Sequence, residues 1–258
     1  MNIPLLRFLP LLGLALLVAA PLRAAESVAH VYELRTYTAQ PGKLPNVLAR
    51  FRDHTTKLFE KHGMVNLGYF TPLDAADAAG EKLVYVLEHA SREAARASWK
   101  AFSADPDWRA VAKASEADGK IVAKVESIFL EATDFSRAAF KPAGTARVFE
   151  LRTYTTPDGK VANIDARFRD HTTTLFEKHG IVNIAYWHPV DASQGAGRTL
   201  TYIIAHPSRE AATANWAAFR ADPVWVAAKA ASEKAAGGSL TTAVKSVFLA
   251  PTDFSMLK

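Results

Sequence analysis

The chain has 258 residues, of which 49% are hydrophobic, 22% charged and 10% aromatic. This composition is typical of a globular protein and excludes a disordered or polytopic membrane chain. There is no cysteine, so disulfides, thiolate metal sites and cysteine nucleophiles are excluded. The net charge is only +5 and no run of lysine or arginine stands out, which argues against a nucleic-acid partner.

The N-terminal segment has the pattern of a secretory signal peptide. Arg7 precedes an apolar run over residues 8–20, and small residues follow at Ala24 and Ala25. This apolar run is short for a membrane-spanning helix. Because the cleavage site is imperfect, an uncleaved membrane anchor is the alternative interpretation. We therefore predict a signal peptide over residues 1–25, a periplasmic or secreted protein, and no integral membrane segment after cleavage.

The rest of the chain is an internal repeat. Residues 31–38 return as residues 148–155, and residues 50–63 return as residues 167–180 with one change. Each copy has the size of a domain, which indicates a tandem duplication. We predict a first domain over residues 26–136, a linker over residues 137–147 and a second domain over residues 148–258.

Within one copy the predicted order is strand, helix, strand, strand, helix pair, strand. Gly63 ends the first helix, while Ser91 and Asp105 are N-caps of the helix pair. This order is that of a ferredoxin-like fold, which leaves one sheet face bare. A bare apolar face favours pairing with a second copy, and here that copy is covalently attached. We predict an α+β protein in which two ferredoxin-like domains pack sheet to sheet as an intramolecular dimeric α+β barrel.

Three groups of residues recur at matching positions in both copies. They are the strand YELRTY at 32–37, the helix end FEKHG at 59–63, and the later Trp99, Phe102, Asp105-Pro106 and Trp108. Together they resemble the NIPSNAP family, and the resemblance covers nearly all of both copies. It implies the dimeric α+β barrel fold and transfers no catalytic residue.

The candidate ligand-binding residues are Arg35, Tyr37 and His54 with their copies Arg152, Tyr154 and His171. If the helices cover the sheet face that carries Leu34, Arg35 points between the sheets, where its guanidinium could bind a carboxylate or enolate. The other interpretation is structural, with Glu33 and Arg35 forming an ion pair with each other or across the two halves of the barrel. His54 shares an apolar helical stripe, which predicts an imidazole against the sheet, either for proton transfer or as a structural histidine.

Two functions follow from these residues. The preferred one is a module that binds a small ligand or a protein partner. The alternative is a cofactor-independent monooxygenase or proton-transfer isomerase that uses the barrel interior, and it requires Arg35, Tyr37 and His54 to converge on one cavity.

We predict no metal and no cofactor because the histidines lack a metal-ligand spacing, although a single histidine can hold haem. The matched charges of the first helix are expected to meet the other domain or another molecule.

Overall fold

The computed structural model describes Met1, residues 30–142 and residues 145–258, so residues 2–25 of the predicted signal peptide lie outside the described residues. The first repeat contains β1 (Val31–Ala39), α1 (Leu44–Arg50), α2 (Thr56–Lys61), β2 (Val65–Pro72), β3 (Lys82–His89), α3 (Arg92–Ala104), α4 (Pro106–Ser115) and β4 (Val122–Ala132). The second repeat contains β5 (Val148–Thr155), α5 (Val161–Arg167), α6 (Thr173–Lys178), β6 (Val182–Pro189), β7 (Thr199–His206), α7 (Arg209–Ala221), α8 (Pro223–Ala235) and β8 (Ala243–Pro251). In the described part of the chain no helix is long and apolar enough to cross a bilayer.

The eight strands close into one antiparallel barrel in the order β1-β3-β2-β8-β5-β7-β6-β4. Each repeat supplies one ferredoxin-like sheet, and the two sheets join along both edges. At one edge Phe70 of β2 lies opposite Pro251 of β8, and at the other Leu130 of β4 lies opposite Pro189 of β6. The predicted intramolecular barrel is confirmed, and its closure pairs the sheet edges as well as covering their bare faces.

Apolar side chains from both repeats fill the barrel interior. The buried set includes Leu34, Phe70, Val86, Leu130, Phe149, Ile203, Trp187 and Leu249. Because Leu34 faces this interior, the helices cover the opposite face of β1, which carries Arg35 and Tyr37. The expectation that Arg35 and Tyr37 point between the sheets is therefore wrong, and the same correction applies to Arg152 and Tyr154. The closed interior holds aliphatic and aromatic side chains, whereas the charged Arg35 lies on the helix side of the sheet, which is partly open to solvent.

A π-helical turn lies between α1 and α2 at Phe51–Thr55, and its copy is Phe168–Thr172. The wider turn places Thr55 inward after Phe51, and the Thr55 hydroxyl donates to the Arg50 carbonyl at 3.1 Å. His54 is consequently rotated outward and is exposed, as is His171. The prediction that these imidazoles lie against the sheet is wrong, because it assumed a regular helical period.

The remaining helix predictions agree with the structure. Ser91 accepts from the Ala94 amide at 3.0 Å, and Asp105 accepts from the Asp107 amide at 2.8 Å, as expected of N-caps. The matched charges of the first helix do reach the other repeat at one position. Arg52 donates to both carboxylate oxygens of Asp253 at 2.6 and 3.1 Å, and the equivalent pair is Arg169 with Asp134.

Candidate functional site

A buried carboxylate lies under the helices in each repeat. Glu33 of β1 is fully buried and accepts from Trp99 Nε1 at 2.7 Å and from Ser127 Oγ at 2.5 Å. It also bonds His89 Nε2 at 3.0 Å and forms an ion pair with Arg35 at 2.5 Å. These partners come from β1, β3, β4 and α3, so one carboxylate ties the sheet to the helix above it.

Glu150 repeats this arrangement in the second half of the chain. It bonds His206 at 3.1 Å, Trp216 Nε1 at 2.8 Å and Ser246 Oγ at 2.5 Å, and it pairs with Arg152. Burial alone would raise the pKa of Glu150. The bond from His206, the charge of Arg152 and the bonds from Ser246 and Trp216 outweigh it and lower the pKa from 4.5 to about 2. The pKa of Glu33 falls to about 2 for the corresponding reasons. Both carboxylates are therefore ionised at neutral pH.

The guanidinium of Arg152 is held in a fixed orientation beside Glu150. Its Nε donates to the Tyr202 hydroxyl at 2.9 Å, and its NH2 donates to the Tyr154 hydroxyl at 3.3 Å. The guanidinium carbon lies 4.4 Å from the centre of the Trp216 ring, and the side chain is only 14% exposed. The structure thus brings Arg152 together with Tyr154, and it forms the ion pair that the sequence left open as the alternative.

In the second repeat Glu150, Arg152 and Tyr154 border an open cavity of about 460 Å³ between the sheet and helices α7 and α8. We call it the second-repeat cavity. Its aromatic lining consists of Tyr154, Trp216, Phe219, Trp225 and Phe248. Its cationic lining consists of Arg152, Arg209, Arg220 and Lys229, and among the described residues Glu150 is the one acidic residue that lines it.

One wall of this cavity is fixed by the other repeat. Arg209 donates to Asp74, in the loop that follows β2, at 2.8 Å. The Arg209 guanidinium also lies 3.6 Å from the centre of the Phe248 ring. Asp74 therefore neutralises Arg209 and holds it against the aromatic wall.

Two cations of the cavity stay uncompensated. Arg220 and Lys229 are exposed, and no acidic side chain within residues 30–142 and 145–258 forms an ion pair with either of them. The first repeat has Ser103 and Ala112 at the equivalent positions. Since Arg152 and Arg209 each have an acidic partner, the excess positive charge of this cavity comes from Arg220 and Lys229, two positions at which the first repeat is uncharged.

His54 and His171 belong to different surfaces. His54 lines a groove of about 480 Å³ between the first helix and α4, together with Asn46, Asp53 and Val111. His171 lines the equivalent groove of about 300 Å³. Arg35, Tyr37 and His54 therefore do not converge on one cavity, which is the condition that the enzyme alternative required.

Sequence reasoning missed the two uncompensated cations. The available signal is a difference between the copies, because Arg220 and Lys229 take the places of Ser103 and Ala112, in helices that also differ at other positions such as Arg96 and Thr213. For Glu33 the sequence predicts only an ion pair with Arg35. Its other donors lie on three separate elements, and only the folded chain brings them together.

Comparison with known proteins agrees with this architecture. The NIPSNAP family model matches residues 32–137 and 149–256. The crystal structure of a candidate monooxygenase from Lactobacillus acidophilus NCFM has a TM-score of 0.56 and 12% identity, over 86% of this chain and 94% of that one. An anthrone oxidase-like protein has a TM-score of 0.56 and 15% identity, over 88% and 94%.

A NIPSNAP family protein of unknown function from Agrobacterium tumefaciens strain C58 has a TM-score of 0.37 and 21% identity, over 43% of this chain and 94% of that one. No curated protein matches the chain at a significant level. At these identities the two structures with a TM-score of 0.56 show a shared fold alone, while the family model covers both repeats. The chain belongs to the NIPSNAP family.

Proposed function

We propose that the protein is a binding module for a small aromatic anion, which it takes into the second-repeat cavity. The observation that carries this proposal is the pair of uncompensated cations, Arg220 and Lys229, beside aromatic walls. Rings such as Trp216 and Trp225 offer apolar contact to an aromatic body, and the cations attract its negative charge. The volume of about 460 Å³ is in the range of small-molecule sites.

Binding is favoured over catalysis by the state of the groups around the cavity. Glu150 is occupied by four partners, and its pKa of about 2 keeps it from taking up a proton at neutral pH. Burial raises the pKa of Tyr202 well above its ordinary value. A cofactor-independent monooxygenase or isomerase is compatible with the fold shared with the candidate monooxygenase. Its expected place, the barrel interior, is however filled by apolar side chains.

The test is a titration of the full chain with 2-naphthoate, followed by calorimetry. Replacing Arg220 by Ser and Lys229 by Ala copies the first repeat, and we expect the affinity to fall about tenfold, because two partly exposed charge contacts are lost. The matched control is the exposed Lys234→Ala on the same helix. Absence of binding to the wild type, or equal affinity in the double variant, would overturn the proposal.

We also propose, from the N-terminal segment alone, that the protein is exported. Cell fractionation of the full chain tests this, and recovery of the protein with its first 25 residues intact in the cytoplasmic fraction would contradict it.

A further inference from the structure

The second-repeat cavity adjoins a smaller chamber of about 170 Å³, which we call the inner chamber. Tyr154, Phe219, Trp225 and Lys229 line both spaces. The inner chamber adds Arg167, the last residue of α5, to the lining. A ligand held in the larger cavity would therefore meet a further guanidinium, that of Arg167, if it extended past these shared walls.

Arg167 is a buried cation with unused hydrogen-bond donors. Its side chain is 5% exposed, and neither Nε nor NH1 has a hydrogen-bond partner among the residues that the structure describes. Its ion-pair partner is Glu233, whose Oε1 lies 3.6 Å from NH1. Burial lowers the pKa of Arg167, and the charge of Glu233 offsets this only in part. Buried donors without acceptors are costly, so this guanidinium is suited to an incoming anion.

The equivalent residue of the first repeat is better satisfied. Arg50 NH1 donates to Ser115 Oγ at 3.3 Å and to Glu116 Oε1 at 3.1 Å. Arg167 also has a serine and a glutamate at the matching positions, but it makes neither hydrogen bond. Nε lacks a partner among the described residues in both arginines, so the copies differ at NH1, which is bonded in Arg50 and free in Arg167 beside the inner chamber.

We propose that Arg167 anchors a second negative charge, so that the preferred ligand is an aromatic dicarboxylate. This rests on the proposed function of the second-repeat cavity. One carboxylate would lie in the inner chamber on Arg167, the aromatic body against Phe219 and Trp225, and the other carboxylate toward Arg220. The charged residues that line the inner chamber are Arg167, Lys229 and Glu233, which leaves one net positive charge for the anion.

The experiment compares naphthalene-2,6-dicarboxylate with 2-naphthoate by calorimetry on the full chain. We expect the wild type to bind the dicarboxylate about tenfold more tightly, since a charge-assisted pair with a buried guanidinium is worth at least that factor. Arg167→Met should remove this preference and leave the affinity for 2-naphthoate within about twofold. The matched control, Arg50→Met in the first repeat, should keep the preference.

Thermal melting without ligand separates this role from a structural one. Arg167→Met should keep or raise the melting temperature, because it removes a buried charge with unused donors and leaves Glu233, which is 28% exposed, in contact with water, whereas Arg50→Met breaks two hydrogen bonds and should lower it. If Arg167→Met does not fold, Arg167→Lys replaces it and should reduce the preference, because lysine lacks the planar fork.

The outcomes distinguish the two proposals. A wild type that binds neither compound overturns the proposed function. A wild type that binds both with equal affinity, or a preference that survives the loss of Arg167, overturns only the role of Arg167. An equal loss of affinity for both compounds in Arg167→Met also contradicts that role.

Discussion

Replacing Glu33 or Glu150 by glutamine tests whether these carboxylates hold the helices on the barrel. Each is buried and receives bonds from two strands, a helix and a neighbouring arginine. Glutamine keeps the shape of the side chain but removes the charge, and it presents an amide donor toward groups that donate. The guanidinium of Arg35 or Arg152 would then lose its counter-ion while it stays largely buried.

The magnitude follows from the lowered pKa of the carboxylates. A decrease from 4.5 to about 2 corresponds to about 3 kcal/mol of folding free energy for each copy. Because the pKa is lower in the folded protein, this stabilisation is fully present above pH 4.5 and is lost as the pH falls from 4.5 through about 2. A similar cost, about 3–5 kcal/mol, is usual when one partner of a buried ion pair is removed.

The assay is urea unfolding of the wild type, Glu33→Gln, Glu150→Gln and the exposed control Glu131→Gln at several pH values. We expect each buried variant to be about 3 kcal/mol less stable than the wild type near neutral pH. The difference should shrink to about half near pH 3, where the carboxylate is already protonated in the unfolded chain and still mostly ionised in the folded protein. A difference that is independent of pH, or no larger than that of Glu131→Gln, would refute the reasoning.

Three further changes have defined outcomes. Burial would lower the pKa of His188, but the hydrogen bond between His188 and Asp165 outweighs burial, so the pKa is raised. The His188–Asp165 pair therefore stabilises the fold below pH 6.5, and this stabilisation is lost as the pH rises through the raised pKa. His188→Thr, which copies Thr71, should flatten the stability in that window, as measured by urea unfolding. His54→Gln should change the unfolding free energy by less than about 0.5 kcal/mol, since the side chain is exposed; a larger loss would point to a contact that His54 makes. A fragment of residues 26–140 should form a homodimer or aggregate in light scattering, and a stable monomer would contradict the shared core.

The fold could be predicted from the sequence because the repeat shows each element twice. The order of strands and helices within a repeat agrees with the predicted one, and both N-caps of the helix pair are at the predicted residues. Alternation along β1 shows which residues share a face, but it does not show which face the helices cover. The assignment of Arg35 to the interior failed at this step.

Local geometry and long-range contact explain what else was missed. An apolar period cannot reveal a π-helical turn, since Phe51 and Leu58 stay buried whether His54 points in or out. Arg220 and Lys229 lie far from Arg152 in sequence and share a cavity with it only because two helices cross the sheet. Such a site follows from how the elements pack and has no motif of its own.

The covalent join between the two halves has an evolutionary consequence. In a barrel made of two identical chains every substitution is present twice, so a residue that helps one pocket and harms the interface is inherited in both places. Here the helix sequence FRDHT is the same in both halves, while positions 103 and 220, and 112 and 229, differ. One half can thus keep the architecture unchanged while the other acquires charge and a ligand preference of its own.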